Sequence, residues 1–196
     1  MRRVVVATKN PHKAAEVAAV LARVLPGLGL VDGLEWPDVD ETGATLEENA
    51  ILKARAVARA TGHDAIADDT GLEVDALGGA PGVRSSRYAG ESASYAENRA
   101  ALLDAMRGRS DRQARFRTVV ALVTAGGETI TASGTLEGRI TEAPRGEGGF
   151  GYDPVFEVDR RTLAELGEAE KNQMSHRARA LEALAGILVE RGWSSD

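Results

Sequence analysis

The stretch AIADDTG, Ala65 to Gly71, places two carboxylates side by side where a short apolar run ends. Adjacent aspartates repel one another, and neither a strand nor a helix needs them. They either cap a turn or hold something positive. Ala65–Ala67 reads as a short buried strand, so the aspartates fall at its C-terminal end. In an open α/β sheet that edge is where ligands bind.

The surrounding chain supports an α/β reading. Val4–Thr8 is a continuous run rich in β-branched residues, expected of a buried strand. Asn10 and Pro11 follow as an N-cap and a first-turn proline, and Val17, Val20, Leu21, Val24 and Leu25 form an apolar stripe ended by Pro26-Gly27. Residues 32–44 are polar and read as loop. Thr45 and Glu48 form a capping-box pattern for a second helix that Gly62 closes, and Ser94 and Glu97 form another for a helix to about Met106. Ala114–Thr124 and Thr129–Ser133 are strand-like around a Gly126-Gly127 turn, and Thr135–Thr141 reads as a further strand. A last helix runs from about Ser175 to Arg191, with Met174, Ala178, Leu181, Leu184, Ala185 and Leu188 on one side. Leu77 to Gly90 is too glycine-rich for regular structure and reads as a packed loop. Helices and strands interleave around a hairpin, so the sheet is mixed. No repeat or linker divides the chain, and 1–196 reads as one domain.

Composition narrows the function. The chain has 196 residues, 24 Lys plus Arg against 30 Asp plus Glu, and a formal charge of −6. A dedicated nucleic-acid binder is normally basic, so no nucleic-acid partner is expected. There are no cysteines, which excludes disulfides and thiolate metal sites. No apolar run approaches the roughly 18 residues of a membrane span. The first strand starts close to Met1, with no room for a signal peptide, and a cytoplasmic location without membrane partners is expected.

Four constellations could carry chemistry. Thr8-Lys9-Asn10-Pro11-His12-Lys13 runs from a strand into a capped helix, whose N-terminus suits an anion. Lys9 and Lys13 lie where cations are disfavoured unless an anion sits between them; the alternative is two solvated lysines beside an ordinary cap. Asp38, Asp40 and Glu41 lie in one loop and join Asp68 and Asp69 as hard oxygen donors suited to Mg2+. Gly148-Gly149-Phe150-Gly151-Tyr152-Asp153-Pro154 sets two rings among glycines and could form a stacking slot, with core packing as the alternative. Lys171, His176 and Arg177 gather at another helix start. The three histidines share no zinc-ligand spacing. Together these features describe a nucleoside triphosphate site.

With those segments in view, the chain resembles the inosine triphosphate pyrophosphatase family, the XTP/dITP diphosphatases. ATKNPHK, ETGATLEENAILKA, IADDTGLEVDALGGAPGVRSSRYAG, GGFGYDP and EKNQMSHRARAL fall in the family's order from Val4 to about Leu184. The resemblance implies an elongated mixed β-sheet flanked by helices, with two lobes and a central active-site cleft. It implies hydrolysis of non-standard purine triphosphates (ITP, dITP, XTP) to the monophosphate and pyrophosphate with magnesium, usually by a homodimer. By it, Thr8 to Lys13 hold the triphosphate. Asp69 is metal ligand and general base, Asp40 or Glu41 is the second ligand, and Asp68 supports them. Thr70 lies at the substrate, Phe150, Gly151, Tyr152 and Asp153 form the base pocket, and Lys171, His176 and Arg177 contact base or phosphates.

Lys9 replaces a glycine common in the family motif, which implies either backbone strain or an added charge. Two other readings stay open: a pyrophosphatase for modified nucleotides of the Maf type, and a nucleotide-binding regulator without catalysis.

Overall fold

In the computed structural model, which describes residues 2–193, the chain divides into two compact units. The first holds residues up to Asp69, Thr118–Gly134 and the segment from His176. The second holds Thr70–Arg117 and Thr135–Ser175.

In the first unit, β1 (Arg3–Val6) pairs in parallel with β2 (Gly29–Leu30) on one side and with β3 (Asp64–Val74) on the other. β3 is followed in the sheet by β5 (Gln113–Val123) and β6 (Thr129–Ile140). α1 (Pro11–Val24) starts as its sequence demands, with Pro11 in the first turn and the Asn10 side chain accepting from the His12 and Lys13 N–H groups. Its buried Val17, Val20 and Leu21 join Val4, Ile66, Val120, Leu122 and Ile130 of the sheet. Ala178, Leu181, Leu184 and Leu188 of α5 (His176–Glu190) complete that core. α2 (Leu46–Thr61) carries the Thr45–Glu48 capping box and ends at Gly62 in the left-handed conformation, where a Cβ would be strained.

Two expectations need correcting. The strand at Ala65 does not stop at the aspartates: β3 runs for 11 residues, straight through Asp68, Asp69 and Thr70. Thr129–Ser133 and Thr135–Thr141 are one strand, β6, continuous through Gly134. The glycine is there for packing. A Cβ at Gly134 would lie 2.4 Å from both the His176 carbonyl oxygen and the Ala180 backbone nitrogen. The first turn of α5 therefore rests directly on β6, and this contact sets the position of His176 and Arg177.

The second unit is built on the C-terminal part of β3, with β4 (Pro81–Gly82) antiparallel to it. β5 and β6 contribute further residues, followed by the antiparallel β7 (Phe156–Val158) and β8 (Arg161–Thr162). Its core joins Leu72, Val74, Phe116, Leu136, Ile140 and Phe156 to Leu102 and Met106 from the region of α3 (Tyr95–Ala105). The glycine-rich segment, expected to lack regular structure, instead holds the two-residue strand β4 and a 3-10 turn at Ser85–Arg87, and side chains tie the rest down. Asn98 accepts from the Ala89 N–H at 2.8 Å and donates to the Ser86 carbonyl at 3.0 Å. A short helix, α4 (Glu168–Met174), which the sequence reading missed, precedes α5 by one residue. Parallel and antiparallel pairs together make the mixed, helix-flanked sheet that the pattern implies.

Candidate active site

Successive side chains of a strand point to opposite faces of the sheet, so neighbouring aspartates within β3 diverge. This resolves their repulsion and gives them different surroundings. Asp68 shares the face of Ile66, which packs among α1 and α5. Its Oδ2 lies 3.2 Å from both Nε and Nη2 of Arg177 and 3.6 Å from Lys13 Nζ. Asp69 meets α2 instead: Asn49 Nδ2 donates to its Oδ2 at 3.2 Å, and Lys53 Nζ donates to its Oδ1 at 3.1 Å.

Both carboxylates are buried, and their protonation diverges accordingly. Burial pushes the Asp68 carboxyl up, but Lys13, Arg177 and Lys53 more than offset this and hold it far below the usual carboxylate range. Burial also raises Asp69. Lys53 lowers it and Glu41 raises it, with a net shift upward. Asp68 is therefore a fixed anion, whereas Asp69 is the better proton acceptor.

The sign of the Asp68 shift sets a stability prediction. A carboxyl depressed in the fold contributes stability that is complete above its unfolded pKa of about 4 and is lost as pH falls from there toward the folded pKa. Thermal melts of wild type and Asp68→Asn should therefore differ most near neutrality and converge as pH is lowered below about 4. A gap independent of pH would refute the pairing.

Arg177 is 1% exposed and holds the Glu16 carboxylate through Nη1 as well as Asp68. Burial works against its charge, and Asp68 and Glu16 outweigh that effect. His176, also buried, shares a hydrogen bond of 2.5 Å between its Nδ1 and the Thr118 hydroxyl.

At the start of α1 the backbone N–H groups of His12 and Lys13 are already taken up by Asn10 Oδ1, at 3.0 and 3.3 Å. Thr8 Oγ1 accepts from the Asn10 N–H at 3.2 Å. What this segment offers an anion is therefore chiefly lysine charge. Lys13 points to Asp68, and the exposed Lys9 pairs with Asp38 at 2.5 Å. Lys9 is not strained by replacing glycine. Among the described residues, the only non-glycine positions with positive φ are Asp159 and Arg160.

The acidic loop separates into unequal members. Asp40 is exposed. Glu41 Oε1 accepts from Lys53 Nζ at 2.8 Å, the same ammonium that holds Asp69. Burial opposes the Lys53 charge, and Asp69, Glu41 and Asp68 outweigh it, raising its pKa. Two carboxylates thus converge on one cationic point. Among the described residues no group of three or more His, Cys, Asp or Glu side chains is placed to hold a metal. Magnesium does not require one, because it takes one or two carboxylates and completes its octahedron with water and phosphate. Of the two acids left open by the sequence, Glu41 shares the Lys53 ammonium with Asp69.

In the second unit, the Gly148–Pro154 segment folds around the buried Asp153. Its Oδ2 accepts from the Phe150 N–H at 2.8 Å and from Lys171 Nζ at 2.7 Å. Gly149 has φ +70°, and a Cβ there would come within 2.1 Å of that oxygen, so only glycine fits. The two rings part company. Tyr152 is buried in the core and donates its hydroxyl to the Ser85 carbonyl at 2.9 Å. Phe150 is half-buried, with Lys171 Nζ 4.8 Å from its ring centroid. The expected two-ring slot is corrected to one available ring, with Tyr152 as its anchor. Gly151 has φ +61°, and Thr70 follows Asp69 in β3.

Sequence reading missed Asn49, Lys53 and Glu16. Asn49 and Lys53 lie one turn apart on α2, polar positions beside the buried Ala50 and Ala54. Polar residues interrupting the apolar face of a capped helix were the available signal. Glu16 had none, because its partner is 161 residues away.

Comparison with known proteins identifies the family of the chain. A model of the Ham1 family matches residues 4–187. A dITP/XTP pyrophosphatase of Bacillus licheniformis is 49% identical over 193 residues, spanning 96% of this chain and 98% of that protein. Its Geobacter sulfurreducens counterpart is 48% identical over 198 residues, 98% of each. The solved structure of a HAM1 protein from Coxiella burnetii superposes with a TM-score of 0.87 at 45% identity, covering 97% of this chain and 100% of that one. A family model spanning nearly the whole chain, joined to relatives of this identity and coverage, places the chain in the Ham1 family.

Proposed function

We propose that this protein hydrolyses non-standard purine nucleoside triphosphates, ITP, dITP and XTP, to the monophosphate and pyrophosphate. The names of its relatives as dITP/XTP pyrophosphatases support the substrate class. The observation that carries the chemistry is the convergence of Glu41 and Asp69 on the Lys53 ammonium at 2.8 and 3.1 Å. Carboxylates gathered around a cationic point, in a Ham1 chain, suit a magnesium-dependent phosphoanhydride hydrolase.

Asp69 and Glu41 would hold magnesium. When bound, it would polarise phosphate oxygens and offset charge at the reacting phosphorus. Asp69 would accept the proton of the attacking water, and pyrophosphate leaves. Lys53 and Lys13 counter the growing negative charge, which is where most catalysis of phosphoryl transfer lies. Asp68, fixed between Arg177 and Lys13, keeps that lysine in place.

The Phe150 face takes the base. Lys171 is the donor beside that ring, and a 6-oxo group would accept from it where the 6-amino group of adenine would not. Sites built on such hydrogen bonds reject the mismatched base by about 10⁴-fold or more. Among the described residues, no helix is long and apolar enough to cross a membrane. Cytoplasmic action as a homodimer is part of this reading.

The test is pyrophosphate release from ITP, XTP, dITP, ATP, GTP and modified pyrimidine triphosphates, with and without magnesium. Release from the inosine and xanthosine nucleotides, dependent on magnesium and weak with ATP, is expected. Preference for modified pyrimidines would favour the Maf-type reading, and binding without turnover would favour the regulator.

A further inference from the structure

The residues of α3 divide by depth. Asn98 and Leu102 are buried, whereas Tyr95 is 43% exposed. A single exposed aromatic is ordinary on a protein surface, but Tyr95 has a specific neighbour. Its ring centroid lies 6.1 Å from that of Phe150, with the planes 39° apart. One helical turn on, Arg99 Nη1 donates to the Gly151 carbonyl at 2.8 Å. Positions i and i+4 share a helix face, so a single face of α3 engages two consecutive residues of the 149–153 loop.

We propose that Tyr95 is a second aromatic contact for the nucleobase, widening the surface that Phe150 presents, and that Arg99 is the positioning residue that holds the loop beneath it. This rests on the reading that the Phe150 loop takes the base. The loop is held from two directions: Asp153 fixes the Phe150 N–H, and Arg99 fixes the carbonyl of the next residue. Phe150 is thereby kept in register with Tyr95. Two tilted rings suit a bicyclic base, which can contact both, better than a monocyclic one. Tyr95 therefore contributes to purine preference through the area of the base, independently of hydrogen bonding to its edge. The phenolic hydroxyl is not needed for this, but the ring is.

The experiment measures kcat and KM with ITP, and with UTP as the monocyclic comparator, for wild type and Tyr95→Ala, Tyr95→Phe, Arg99→Ala and Arg99→Lys. Wild-type ITP turnover is the first readout; its absence would refute the proposed function before Tyr95 is tested. With that activity present, Tyr95→Ala should raise KM for ITP about tenfold, as loss of a base-stacking ring does, with kcat little changed. Tyr95→Phe should restore KM, and the effect on UTP should be smaller. Arg99→Ala should raise KM for ITP in the same way and Arg99→Lys should recover part of it, whereas a merely structural role would lower the melting temperature and leave KM alone. An unchanged KM in Tyr95→Ala, a loss confined to kcat, or an equal effect on ITP and UTP would each overturn the proposal. Because Tyr95 is exposed, its replacement leaves the core intact, which a thermal melt will verify.

Discussion

The Asp69→Asn protein should fold, melt a little below wild type and turn over ITP about 10²- to 10⁴-fold more slowly, the range expected when a positioned general base is lost. The first half of that result follows from the shifted pKa. Asp69 is raised because burial and the Glu41 charge disfavour its ionised form more than Lys53 favours it. A neutral side chain of the same shape is therefore tolerated. The amide can still accept through its oxygen from Lys53, the donor now at 3.1 Å, but its NH2 group then faces the Asn49 amide, the donor now at 3.2 Å, which costs a little stability. The second half follows from the chemistry: an amide takes no proton from water and is a poorer ligand for a hard cation. Steady-state kinetics at saturating magnesium, with a melting curve on the same preparation, decides both. Near-normal turnover would remove Asp69 from the mechanism. The adjacent Asp68→Asn change should behave differently, losing stability first, because it strips the counter-charge from Arg177 and Lys13.

Arg177→Ala should destabilise the protein by about 3–5 kcal/mol, the usual cost of deleting one partner of a buried ion pair. The guanidinium is 1% exposed and is shared by Asp68 and Glu16, so its removal takes from both carboxylates the cation they share and leaves Asp68 to Lys13. For a chain of this size each kcal/mol lowers the melting temperature by about 2–4 °C, so the shift should be on the order of 10 °C. Arg177→Lys should recover only part of this, since an ammonium cannot fork onto two acceptors as a planar guanidinium does. The same variant tests whether Arg177 reads the base. If it does, Arg177→Lys should also lose preference for ITP over ATP. A preference retained despite lower stability would confine Arg177 to holding Asp68. An Arg177→Ala melting temperature equal to wild type would contradict the buried triad.

Much of the fold was legible before any coordinates. Asn10 with Pro11, Thr45 with Glu48, and Ser94 with Glu97 mark helix starts that the structure reproduces. Caps are local chemistry, satisfied within three or four residues, and so can be read from a short window. The reading failed where a distant partner decides. Gly134 looked like a break between strands because glycine weakens a strand in isolation. In the fold it is the place where α5 presses onto β6. Tyr152 and Phe150 looked equivalent in their loop, yet one lies in the core and the other is half-buried beside Lys171.

By itself the sequence determined the capped helix starts, most of the long strands around them and the resemblance to a family whose motifs carry carboxylates and lysines. Only the tertiary structure decided what each charged group does. AIADDTG shows two equal aspartates. Strand alternation sends Asp68 to Arg177 and Lys13 and Asp69 to Asn49 and Lys53, so the pKa of one is held down and that of the other is raised. Glu41 joins Asp69 through a lysine 12 residues further along the chain. The physical reason is that a side chain's protonation and reach depend on its burial and on the charges packed around it. Those charges come from helices far apart in sequence that meet only in the folded chain.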